Sequence, residues 1–449
     1  MSRLRRLGIR ENAAGGLARH VVGNAVVVCA EGAMTAEAKA LALSVGADPE
    51  HDLVVVDLPP DSPVSAWESL ATLMPRGRRA VRLVIGGRSR EAAALTGQWL
   101  SVRLKRTFVV PDGKVLMGAG GSLLVHSGPN SGWVRFRPGR APQLEGKRFP
   151  RPRWETPALD DLVTGRPDVV TEPLPGGLWI RSAGDTEAVA ESRSRLVGGM
   201  AFQPDVLSIV VGGPDLPPVS LDDVAAFCRL LPVECRSRVR FVRYGPVSLS
   251  GGTTFGHGLA NLLGGEVVCY GGMPIGSPTG CEVFTVLPDG MLGWNTLAQQ
   301  LAYRPQANPV PAAVPELRAY RGPMPGLTEI APAVYACEPD VVVEVVQSGL
   351  WVRPAHEVPN AARVRALPAD PLEHVIAFEA ADVEQAGRMR AVAEVVLARL
   401  DQSTRSVTKL VPATTVHSAR VKDISRELTE SGLAVLDQSV PTGVMAAPS

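Results

Sequence analysis

The chain is poor in aromatic residues, 5% of 449, and has almost no net charge: 46 Lys and Arg against 45 Asp and Glu. Acids and bases are interspersed, so no concentrated basic face is expected and nucleic acid is not an expected partner. No apolar run reaches the length of about 18 residues that a membrane-spanning helix needs. The basic N-terminus, MSRLRRLGIRENAAGG, is followed by no apolar stretch of signal-peptide length. The six cysteines (29, 228, 235, 269, 281 and 337) form no CxxC pair and have no histidine at zinc spacing. They read as reduced thiols within apolar runs, so a cytoplasmic location and no metal are expected. GxGxxG and GK[ST] are also missing, and the glycine-rich pieces Gly251-Gly252 and Gly118-x-Gly120-Gly121 read as turns. No cofactor is expected.

What the sequence does contain is organised around Arg238–Met273, which reads as strand, glycine-rich turn, helix, strand. Thr253 or Thr254 can cap a helix whose apolar residues Phe255, Leu259, Leu262 and Leu263 fall on one face. Gly264-Gly265 stops it, and Glu266–Tyr270 is the next strand. Short connections of this kind imply parallel strands. The pattern recurs along the chain, and in two places a stretch with the spacing of β-hairpins carries a Pro-Asp-Gly turn, one beginning at Pro111 and the other running over Cys281–Trp294. Tryptophans 99, 133, 179, 294 and 351 read as core and hairpin anchors.

The expected fold is α/β: tandem Rossmann-like (caspase- or flavodoxin-like) parallel-sheet domains with β-hairpin extensions. The boundaries run as follows: a polar lead-in over 1–20, domain 1 over 21–140, a linker over 141–165, domain 2 over 166–303, a proline-rich linker over 304–338, a partial domain 3 over 339–440 and a tail over 441–449. The basic stretch Lys147–Arg153 in the first linker reads as a solvated tether. The strongest sign of duplication is the match of Pro167–Glu172 and Gly177–Arg181 with Pro339–Glu344 and Gly349–Arg353. Domain 3 is expected to close with a helix over Val421–Leu428 and a strand over Leu433–Leu436.

In an open α/β sheet, ligands sit beyond the carboxyl ends of the strands. This rule selects Gly86, Gly87 and Arg88 in the first copy and Tyr244 and Gly245 in the second as ligand-binding candidates. No Cys, Ser or Asp nucleophile follows either strand directly. The surviving candidate nucleophile is Cys29, at another strand end. His20 is too close in sequence to lie on a neighbouring parallel strand, and His51 precedes the next strand, at the wrong end. His257 reads as a packing histidine.

Two pieces then resemble a known family. They are Phe255–Met273 with Pro288-Asp289-Gly290, and Ala92–Pro111 with Asp112-Gly113 and Gly132–Gly139. They resemble degenerate caspase-like, "lonely-cysteine" modules of large actinobacterial proteins linked to type VII secretion and polymorphic toxins. An active module of that kind would carry a Cys after the strand matched by Arg240–Arg243, where this chain has Tyr244-Gly245. No Tyr-x-x-x-Asp/Glu export signal follows any of the five tyrosines. The resemblance implies a non-catalytic scaffold or accessory protein with protein partners. A cysteine peptidase or acyl-transfer hydrolase using Cys29 is the alternative.

Overall fold

The structure is a computed structural model describing residues 16–415, apart from 60, 61, 63, 86–89, 127, 129–130, 157–158, 160–165, 250–252, 278–279 and 307–312. The expected helix Val421–Leu428, strand Leu433–Leu436, tail and Gly251-Gly252 turn lie outside the described residues. The chain is mixed α/β, with parallel strands in several sheets. It divides into two compact units, Met1–Gly293 with Gln300–Pro309, and Trp294–Gln299 with Val310–Ser449.

In the first unit, β1 (Leu17–Val22) and β2 (Ala25–Ala30) form an antiparallel hairpin, so the end of the expected lead-in is a strand. Helix α1 (Ala36–Ser44), β3 (His51–Asp57), α2 (Val64–Leu73), β4 (Ala80–Ile85), α3 (Arg90–Leu104) and β5 (Phe108–Pro111) follow, with β2 to β5 parallel. Strands β6 (Lys114–Met117) and β7 (Leu123–His126) form a hairpin. The chain returns as β8 (Trp133–Phe136) against β5, β9 (Gln143–Gly146) against β8 and β10 (Arg148–Phe149) against β7. Both faces of this sheet are covered: Val54, Leu83 and Phe108 pack with Trp67 and Leu70 of α2, and Val55 and Val109 with Ala42 of α1 and Leu123 of β7. Burial on two faces is why strands such as Leu53–Val56 are continuously apolar.

The same unit then repeats the scheme. Hairpin β11 (Val169–Leu174) and β12 (Gly177–Ser182) is followed by α4 (Glu187–Gly199), β13 (Leu207–Val211), β14 (Val219–Ser220), α5 (Leu221–Leu230), α6 (Val233–Arg236), β15 (Val239–Arg243), β16 (Val247–Ser248), α7 (Phe255–Leu263) and β17 (Val267–Tyr270). Strands β12, β13, β15 and β17 are parallel. Helix α7 starts at Thr254, whose hydroxyl accepts from the His257 N–H, and ends at left-handed Gly264, as its sequence predicts. Next come the hairpin β18 (Met273–Ser277) and β19 (Gly280–Val286), then β20 (Leu292–Asn295) and β21 (Ala298–Tyr303), which pairs antiparallel with β17.

The second unit contains β22 (Glu316–Tyr320), β23 (Thr328–Ala331), β24 (Val334–Glu338), the hairpin β25 (Val341–Val346) and β26 (Gly349–Pro354), α8 (Ala361–Arg365), β27 (His374–Phe378), α9 (Val383–Arg399), α10 (Gln402–Ser406) and β28 (Thr408–Pro412). Strands β26, β27 and β28 are parallel. Residues 304–338, read as a linker from their proline and glycine, thus carry three strands. Ala333 and Tyr335 are buried, so this stretch contributes to the core.

The stretch Lys147–Arg153 is likewise not a solvated tether throughout. Arg148 is buried and donates to the Leu174 and Gly177 carbonyls (2.8 and 2.9 Å) and to Glu155 (2.7 Å), with its guanidinium over Trp154. Each guanidinium nitrogen finds an acceptor, two at the β11–β12 turn and one at Glu155, so the charge can leave water.

One cluster occurs in each unit, with every position 172 residues from its counterpart: Glu172 and Glu344, Trp179 and Trp351, Arg181 and Arg353, Arg193 and Arg365. The glutamate faces the tryptophan across the hairpin. Glu172 accepts from Arg181 (3.3 Å) and Arg193 (3.0 Å), and Glu344 from Arg353 (2.7 Å) and Arg365 (3.0 Å). The Arg181 and Arg353 guanidinium carbons lie 5.3 and 5.2 Å from the tryptophan ring centres. Since Arg193 lies in α4 and Arg365 in α8, the cluster ties each hairpin to the helix after it. Glu344→Gln should therefore cost about 3–5 kcal/mol by leaving buried Arg353 without its counter-charge. Glu357→Gln, at an exposed pair with Arg365, should cost under about 1 kcal/mol. Urea unfolding of the two variants measures the difference, and equal losses would show that the buried pair has no special weight.

Candidate functional site

Two of the sequence-selected positions meet at the carboxyl ends of β13 and β15. Tyr244 is buried, and burial pushes its phenol above the usual range. Gly245 presses against Gly213: a methyl group on Gly245 would lie 2.3 Å from the Gly213 nitrogen and 2.4 Å from its oxygen. The Gly212 carbonyl accepts from the Trp179 indole at 2.7 Å. The two chains then run on together as the parallel pair β14 and β16. Backbone and indole are thus packed together at these strand ends. Gly86, Gly87 and Arg88 lie outside the described residues.

Strand order bears on the same point. The sheets read β1-β2-β3-β4-β5 and β11-β12-β13-β15-β17, each advancing in chain order. A doubly wound sheet opens its ligand crevice where the order reverses. Among the described strands of these two sheets no such reversal occurs.

Cys29 stands opposite Asp57 in the β2–β3 register and is 0% exposed. Asp57 is already engaged, accepting from the Thr35 N–H (2.7 Å) and hydroxyl (3.1 Å) at the start of α1. Burial first, and the Asp57 charge second, push the Cys29 thiol up, away from the thiolate that nucleophilic attack requires. His20 is closer than its sequence position suggested, because β1 folds back antiparallel on β2. It faces Val27, diagonal to Cys29, and no histidine nitrogen among the described residues lies within hydrogen-bond distance of the sulfur. By register, Cys29 occupies the position that Arg181 and Arg353 hold in the other hairpins. His51 is bound to Asp48 (3.0 Å), which also accepts from Arg82 (3.1 Å). These contacts hold the Asp48 carboxyl well below the usual carboxylate range despite its burial.

His257, Tyr270 and Cys281 are also occupied in packing. His257 binds the Thr254 hydroxyl (2.9 Å) and stands edge-on to Tyr303, with ring centres 4.9 Å apart. Gln203 donates to the Tyr270 hydroxyl (2.8 Å) and lies 3.6 Å from the Cys281 sulfur. Burial pushes Tyr270 up to about 12 and Cys281 up to about 11, so both are neutral at physiological pH. Among the described residues no group of three or more His, Cys, Asp or Glu could hold a metal ion.

A feature that packing leaves unused is on α3. Gly97 and Leu100 face the sheet, and Phe136 fills the space where a Gly97 side chain would be. On the opposite side Leu95, Trp99 and Val102 are 72%, 36% and 55% exposed. At 3.6 residues per turn these three fall within an arc of about 60°. Trp99, read as a core anchor, thus belongs to an outward apolar stripe. The signal was present in the sequence as a helix with apolar residues on two faces, where a surface helix normally has one.

Two measurements test this description. Iodoacetamide should label Cys29 only after unfolding, across pH 5 to 9; fast labelling of the native protein well below pH 8 would overturn the assignment as a core thiol. Gly245→Ala should destabilise by about 1–3 kcal/mol through overpacking. Gly198→Ala has open space around it on α4 and should stabilise by up to about 1 kcal/mol. Thermal unfolding checks the opposite signs.

Compared with protein-family models, curated proteins and solved structures, the chain matches none.

Proposed function

We propose that this chain is a non-catalytic scaffold or accessory protein that binds a protein partner through the outer face of α3. The observation that carries the reading is the exposed stripe Leu95, Trp99 and Val102. Contiguous apolar surface on a helix that already buries its other face is the feature of a recognition element. A tryptophan at its centre supplies the large contact area of an interface anchor.

In the same reading the repeated hairpin and parallel strands are tandem Rossmann-like domains descended from a caspase-like module. The setting is a cytoplasmic step of an actinobacterial secretion or toxin-associated system. The resemblance of Phe255–Met273 and Ala92–Pro111 supports this origin, as does the excess of arginine over lysine. A peptidase or acyl-transfer hydrolase on Cys29 is the weaker reading, since its thiol is buried and shifted away from ionisation.

Leu95→Glu and Val102→Glu alter side chains already in water, so folding stability should change by no more than about 0.5 kcal/mol. A photo-crosslinking residue at position 95 should give a discrete covalent adduct in cell extract that Val102→Glu abolishes. The same residue at Glu37, exposed on α1, should give none. Indistinguishable adducts at the two positions would sink the proposal.

A further inference from the structure

Glu379 follows β27 directly, at the carboxyl ends of the parallel strands of the second unit, and is 5% exposed. Its carboxylate accepts from the Asn360 side-chain amide at 3.2 and 3.4 Å, and among the described residues no Arg, Lys or His pairs with it. Glu344 of the same unit, buried to a similar degree, is met by two arginines. The fold thus supplies a counter-charge for one buried carboxylate and leaves the other without, although an unpaired buried charge is strongly unfavourable. Trp351 is 0% exposed, and its indole nitrogen has no acceptor. In the second copy the equivalent Trp179 donates to the Gly212 carbonyl. Glu379 stands where Gly212 does: its N–H donates to the Val352 carbonyl as that of Gly212 donates to Ile180, at 2.9 Å in each. Trp351, Ala361, Ala377 and Ala413 pack in one cluster, with Val352 and Phe378 on the opposite face, so alternation along β27 turns Glu379 to the face that holds the indole. The Asn360 side-chain oxygen is also buried without a donor. Arg363 of α8 is exposed and forms no ion pair among the described residues; it donates to the Ala413 carbonyl (3.3 Å), one residue past β28.

We propose that these four residues form a binding site for a small zwitterionic amine of the α-amino-acid class. The unneutralised Glu379 carboxylate takes the ammonium group, since it supplies both the opposite charge and acceptor oxygens that Asn360 leaves free. The Asn360 oxygen is a second acceptor beside it. The Trp351 indole and the Arg363 guanidinium can only donate, so they call for a group that accepts, and a guanidinium favours a carboxylate. A metal ion would satisfy Glu379 but not the two donors; a molecule with an ammonium next to a carboxylate satisfies both. The site lies where ligands sit in an open α/β sheet. It is separate from the outer face of α3, which belongs to the first unit.

The test is thermal unfolding of the full chain with free L-α-amino acids added one at a time, followed by calorimetric titration of those that act. At least one should raise the Tm, as a ligand of the folded state must. Glu379→Gln keeps an acceptor for Asn360 but loses the charge. It should leave the Tm of the ligand-free protein equal or higher, and weaken binding about tenfold or more. Arg363→Gln, at an exposed side chain, should weaken binding to a similar extent, and it serves as the test if the first variant does not fold. The amine that lacks the carboxylate should bind more weakly than the parent amino acid. A panel in which no amino acid shifts the Tm would overturn the proposal. So would binding that is unchanged in both variants, or a ligand-free Glu379→Gln protein of lower Tm that still binds, which would make Glu379 only a brace for α8.

Discussion

The structure depends on how a carboxylate is kept inside a hairpin. Glu172 and Glu344 lie on buried strands, where an unpaired charge would cost several kcal/mol. Each is matched by an arginine from the facing strand and a second from the next helix, with a tryptophan ring beneath the first. This requirement fixes the hairpin register, since a slip of one residue would move the arginine to the opposite face. It also ties α4, through Arg193, and α8, through Arg365, to their hairpins. Asp185 and Glu357 extend the set outward, to Arg193 and Arg365 respectively. The first hairpin solves the same position differently. With Cys29 where the others have arginine, it has no buried charge to neutralise, and that is why the thiol is a core residue.

A second constraint is the close approach of Gly213 and Gly245. A side chain at Gly245 would strike the Gly213 backbone and hold the carboxyl ends of β13 and β15 apart; glycine lets the two backbones touch. At the carboxyl ends of these strands the two backbones form a packed seam. The described strands of the two sheets advance in chain order, without a switch point. On the outside, the outer face of α3 is one place where neighbouring apolar groups remain in water.

Much of the architecture was legible from local pattern. The runs Leu53–Val56, Val206–Val211 and Val341–Val346 are strands or contain them, and Thr254 and Gly264 bound α7 as their chemistry requires. The duplication was visible over the Pro-Asp-Val and Gly-Leu-Trp wording. Its extension to Arg193 and Arg365 was not, because a lone arginine carries no local signal and only the shared carboxylate reveals its partner. Proline and glycine misled at 304–338, and basic residues misled at 147–153. Turn residues mark where a chain bends, and charge marks what must be satisfied; neither tells whether the bend or the charge is buried.

The sequence by itself determined the α/β class, the positions of most strands and helices, and the recurrence of one hairpin, because propensity, capping and apolar periodicity act over a few residues. Tertiary structure decided which residues face one another. It brought His20 diagonal to Cys29 by folding β1 back, sealed the seam at Gly245, and turned Trp99 outward on α3 while the other face of that helix packed against Phe136. Burial, register and pairing are properties of contacts between segments distant in the chain, so they exist only once the sheets have closed.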